Sequence, residues 1–125
     1  MNTDHPHDPL TQRIIGSAFT VYNTLGYGFL EKVYENALVH ELRKAGLHIT
    51  QQKPFPVFYD GINVGDYVAD LLVGDSLIIE LKSAKAIDDS HIAQCLNYLK
   101  AARLRHGLLL NFGPQRVEIR RLIMD

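Results

Sequence analysis

The chain has 125 residues, 46% apolar and 22% charged, enough for one compact domain with a real core and too ordinary in composition for a disordered protein. Its net charge of −1 argues against a tight, non-specific nucleic-acid binder, which carries a basic excess, yet clustered acids in a metal-dependent enzyme would themselves lower the total. No run approaches the ~20 apolar residues of a membrane span, and the single Cys95 excludes an internal disulfide.

The polar, acidic start lacks the apolar stretch of a secretory signal, so the cytoplasm is the expected compartment. Residues 1 to about 8 read as a flexible tail on a single domain spanning 1–125. Asp8 followed by Pro9 predicts a helix start, and Ile14, Ala18, Val21, Tyr22 and Leu25 recur at helical spacing. Gly26-Tyr27-Gly28 ends that helix. A second runs from about 29 or 30 to 45, with Leu30, Val33, Tyr34, Ala37, Leu38, Glu41 and Leu42 as its mostly apolar face. Glu31 falls in its first turn, where the helix dipole favours an acid whatever its function.

Past Pro54 the period changes to two. Residues 55–59 and 62–73 read as strands joined at Asp60-Gly61, with an irregularity near Gly65. After Gly74-Asp75-Ser76, residues 77–83 form a strand apolar on both faces, which predicts a central position covered by helices above and below. Asp88-Asp89-Ser90 offers caps for a third helix carried by Ile92, Cys95, Leu96, Leu99 and Ala102, in which Cys95 reads as core filler. Residues 107–112 form another buried strand, and 117–123 a strand nearer an edge. The order α-α-β-β-β-α-β-β predicts an α/β fold with a mixed central sheet flanked by helices.

The tight loop at 74–76 makes a geometric prediction. If Val73 faces Leu77, Asp70 lies opposite Glu80 on one face of the sheet, and Glu80 and Lys82 share that face. Two carboxylates opposite each other repel, and amid apolar neighbours they need a cation. A divalent ion with oxygen ligands meets that need; a structural ion pair of Lys82 with Asp70 or Glu80 is the plainer alternative. Gln94 and Tyr98 share a face of the third helix, from which Gln94 can hydrogen-bond nucleic acid or orient Lys82. His91, near that helix start, reads as a surface residue, and His5 and His7 fall in the tail.

Gly28-Phe29-Leu30-Glu31-Lys32-Val33-Tyr34, Asp70, Glu80-Leu81-Lys82 and Gln94 with Tyr98 together resemble the PD-(D/E)xK nuclease superfamily, and within it the small GxxExxY family. The resemblance covers about residues 10–123, with Ala69 standing where the motif's name has proline. It implies a restriction-endonuclease-like core and metal-dependent hydrolysis of phosphodiester bonds in DNA or RNA. Glu31, Asp70, Glu80 and the Leu81 carbonyl would hold Mg²⁺ or Mn²⁺, and Lys82 would position the attacking water. Gln94 and Tyr34 are the candidate substrate contacts, although packing is the favoured role for Tyr34. Many small nucleases of this architecture work as homodimers. The alternative function is a catalytically silent binding or interaction module on the same fold.

Overall fold

The structure, a computed structural model, describes residues 8–125. The tail expected to be flexible, with His5 and His7, lies outside the described residues except for Asp8. Helix α1 (Pro9–Leu25) begins as the sequence predicts: the Asp8 carboxylate accepts the Thr11 hydroxyl at 2.8 Å and the Thr11 amide at 3.4 Å, with proline in the first turn. Helix α2 (Glu31–Lys44) follows, then strands β1 (Ile49–Tyr59), β2 (Ile62–Val73) and β3 (Leu77–Lys82). Helix α3 (Asp89–Ala102) leads to β4 (His106–Phe112) and β5 (Val117–Ile123).

The five strands make one sheet in the order β1-β2-β3-β4-β5, antiparallel except for the parallel pair β3–β4 that α3 connects. The mixed α/β architecture is the expected one. The central strand β3 is buried at every position before Lys82. On one side of the sheet Leu71, Ile79, Leu81 and Leu108 pack with Ile14, Ala18, Leu38 and Leu42 of α1 and α2. On the other side Ala69, Leu72 and Ile78 pack against Leu99 of α3. Each buried Leu or Ile among them contributes roughly 1.5–3 kcal/mol by leaving water.

Two expectations change. Strand β1 begins at Ile49, six residues ahead of the expected start, and runs through Pro54 and Pro56. It is an outer strand, and prolines two apart lie on the same edge, so both fit the unpaired side without removing a ladder bond. The buried face of α2 is also rotated: Tyr34, Glu35, Leu38, Val39 and Leu42 are buried, while Leu30 and Val33 are exposed. The irregularity expected near Gly65 is a register shift, with Val57 opposite Gly65 and Phe58 opposite Asn63.

Candidate active site

The hairpin register is the predicted one. Val73 pairs with Leu77, Leu72 with Ile78 and Leu71 with Ile79, which places Asp70 and Glu80 at the next rung. That rung is made by side chains. A Glu80 carboxylate oxygen accepts the Asp70 amide at 2.8 Å, and an Asp70 carboxylate oxygen accepts the Leu81 amide at 2.9 Å. The two acids therefore occupy the space where the strands part, each held by backbone of the opposite strand. Leu71 and Val73 pack on the α1/α2 side and Ala69 on the α3 side, so β2 changes faces at Asp70.

Across from Asp70, the Gln51–Leu71 and Lys53–Ala69 pairs are kept while the rung between them is missing. Gln52 there has φ 53°, a left-handed conformation that is uncommon for a side chain of this kind. Its amide reaches both oxygens of Glu35, at 3.0 and 3.2 Å, and approaches Asp70 at 3.4 Å. Glu35 is almost fully buried and also receives Lys32 Nζ, at 3.1 Å from Oε2, and Gln51 at 2.8 Å. This acid was missed by sequence reasoning. The available signal was its position one helical turn after Glu31.

Electrostatics mark the same point. Burial pushes the Glu80 carboxyl up to about 9, and the Asp70 charge adds to the shift. Asp70 is also raised, first by burial, with the Leu81 hydrogen bond opposing and Glu35 adding to the rise. Glu31 is raised by burial and then by Asp70, with Lys82 opposing, so the acid from α2 shares the field of the hairpin acids. Asp70 and Glu80 have no ion-pair partner within 4 Å among the described residues, which disfavours the structural ion pair. Instead Lys82 Nζ donates to Gln94 Oε1 at 2.7 Å, so Gln94 orients the lysine.

These donors fit a hard divalent ion: carboxylate oxygens, buried, repelling and lacking a cation. Among the described residues no three His, Cys, Asp or Glu side chains are already gathered as a cage. Mg²⁺ does not require one, because it is commonly held by one or two carboxylates together with water and substrate phosphate. Leu81, the candidate carbonyl ligand, is fully buried beside the pair.

Tyr34 is a correction to its candidacy as a substrate contact. It is fully buried, its ring stacks on Phe112 at 4.6 Å, and its hydroxyl donates to the Gly26 carbonyl while accepting the Phe29 amide at 3.2 Å. The side chain thus staples the 26–30 loop that delivers Glu31. Tyr34→Phe keeps the ring but loses both bonds, which is expected to cost ~1–2 kcal/mol and lower Tm by roughly 4–8 °C in a thermal melt. Cys95 is buried with its thiol pushed up to about 12 by burial, as befits core filler. His91 is half-buried rather than fully exposed, because its Nδ1 accepts the Asp88 amide in the α3 capping box.

Glu80 and Lys82 lie toward the carboxyl end of β3, opposite Leu109 and Asn111 of β4. Asn111, paired with Lys82 and fully buried, binds both the amide and the carbonyl of Ala84 and donates to Glu118, fixing the chain just after the lysine. A cavity of about 360 Å³ between the start of α1 and the other end of the sheet contains none of the candidate residues.

No match to this chain is found among curated proteins. Among solved structures it is similar to an alkaline exonuclease from Laribacter hongkongensis, at 12% identity and a TM-score of 0.57, over 97% of this chain and 73% of that one. It also matches SSO0001, at 14% identity and a TM-score of 0.49, over 97% and 81%. The exonuclease likeness shows the shared restriction-endonuclease-like fold. The profile of one family covers residues 8–122, nearly all that the structure describes, and on that match the chain belongs to the PD-(D/E)XK nuclease superfamily.

Proposed function

We propose that the protein is a divalent-metal-dependent nuclease of the GxxExxY kind, in which Asp70 and Glu80, joined by Glu31 and the Leu81 carbonyl, hold Mg²⁺ or Mn²⁺. The observation that carries this reading is the buried Asp70–Glu80 pair, pinned by opposing backbone amides and without a cation of its own. Members of the superfamily typically use divalent ions, which agrees with the donor set. The Gly28 to Tyr34 motif supports the GxxExxY assignment through its geometry. Gly28 takes a φ of 110°, which only glycine adopts readily, and Tyr34 fixes the loop so that Glu31 opens α2 toward the acids.

When bound, the ion supplies charge neutralisation at the phosphate and an acidified water. The chain's own residues do the rest. Burial and mutual repulsion make it costly to ionise both Asp70 and Glu80, a cost that a bound cation would offset. Lys82, steered by Gln94, directs its ammonium at the oxygens where negative charge grows during displacement. The α3 side of β3 excludes water beneath the site through Cys95 and Leu99. Incubation with DNA and with RNA in Mn²⁺ or Mg²⁺ should give cleavage of at least one, abolished by EDTA and restored by added metal. Cleavage that persists in EDTA overturns the reading, as does its absence with every metal and substrate.

A further inference from the structure

Two features beside the acids have no part in the reaction as derived. The first is a cavity of about 430 Å³ lined by Lys85 and the turn Gly113, Pro114, Gln115 and Arg116, with Glu118 at its wall. Lys85 is exposed and makes no ion pair with a carboxylate among the described residues. The Glu118 carboxylate accepts Asn111 at 2.9 Å and the Ile87 amide at 3.0 Å, which hold it ionised, so Lys85 and Arg116 outnumber one carboxylate in the cavity lining.

The second feature is the 26–30 loop. Tyr27 is 53% exposed and Phe29 is 47% exposed, directly ahead of Glu31. The loop is held in place: the Gly26 amide bonds the Tyr22 carbonyl at 2.7 Å, and the Tyr34 hydroxyl binds Gly26 and Phe29. Aromatic side chains carried half in water on a fixed backbone are ready contact area, since little backbone entropy is lost when something stacks on them. The two features adjoin. The Tyr22 hydroxyl, one turn before the loop, donates to the carbonyl of Gly113 in the cavity wall, and Tyr34 stacks on Phe112.

We propose that the Tyr27–Phe29 loop and the Lys85–Arg116 cavity together seat an unpaired nucleic-acid strand, bases stacked on the aromatic rings and phosphate held by the two cations. The proposal rests on the nuclease reading and specifies its substrate as single-stranded. Exposed ring faces accept unpaired bases, which a duplex keeps stacked on one another. Two cations suffice for local phosphate binding in a chain whose overall charge is not basic.

The test is fluorescence anisotropy in EDTA, with a labelled thymidine strand of about twelve nucleotides and the same strand annealed to its complement. The single strand should bind at least about tenfold more tightly than the duplex. Tyr27→Ala and Phe29→Ala should each weaken it by about fivefold or more, whereas Tyr27→Phe should bind like the unaltered protein. Lys85→Ala with Arg116→Ala should reduce the slope of log affinity against log salt by about 1.4. Equal affinity for strand and duplex, or unaltered binding by both alanine variants, overturns the proposal. Cleavage on adding Mn²⁺ separates the two readings: binding without cleavage leaves the seat standing and the enzyme not, and cleavage without strand preference the reverse.

Discussion

Lys82→Ala is expected to reduce phosphodiester cleavage by about 100- to 1000-fold, the loss typical when one donor to a developing negative charge is removed. The fold should survive, because Lys82 ends β3 and, among the described residues, its ammonium bonds only to the exposed Gln94 side chain. A melting temperature within a few degrees of the unaltered protein, beside the lost activity, is the combined result expected. Lys82→Arg should recover little, since a planar guanidinium cannot occupy the ammonium's place beside Gln94. A Lys82→Ala protein that cleaves at the original rate would remove the lysine from the mechanism.

Glu80→Gln should have the opposite effects on stability and activity. In the metal-free protein Glu80 holds a proton to about pH 9, whereas the unfolded chain releases it near 4.5. Over that interval the folded state carries the extra proton, so stability falls as pH rises, by at most about 1.4 kcal/mol per pH unit from this group. Asp70 and Glu31 are raised as well and act in the same direction. Glutamine keeps an oxygen for the Asp70 amide and removes the proton that folding must take up above pH 4.5, so the variant should be more stable at pH 8 by ~1–3 kcal/mol and flatter in its pH dependence. Its activity should fall about 1000-fold as an ion ligand is lost. Mn²⁺ should stabilise the unaltered protein increasingly toward high pH, as binding displaces the proton, and leave the variant nearly unmoved. Denaturant titrations at several pH values, with and without Mn²⁺, check all three expectations. An unaltered protein that gains stability from pH 5 to 9 without metal would contradict the account.

The hairpin was legible in the sequence because two rules act there without interference. A three-residue loop fixes the register and strict period-two alternation carries it to Asp70 and Glu80. The central place of β3 followed from its Leu and Ile residues on both faces. Other parts of the site depend on contacts that local pattern does not encode. Glu35 looks like a solvent-facing helix residue until Gln51 and Gln52, distant in the chain, close over it. Those glutamines belong to an edge strand whose prolines and polar start mask its β character, so the layer around Asp70 and the early start of β1 were missed together. Asn111 left a faint trace, a lone amide in an apolar run, and only the loop after Lys82 gives it partners. The role of Tyr34 likewise depended on knowing that the carbonyl of Gly26 folds back over α2.

Crystals soaked in Mn²⁺ and measured at the manganese absorption edge address the ion site without an assay. The account predicts one anomalous peak or two between Asp70 within β2, the carboxyl end of β3 and the start of α2, within ligand distance of the Asp70 and Glu80 carboxylates. A map without signal there, in crystals whose Asp70 and Glu80 side chains are well ordered and deprotonated by high pH, would contradict it.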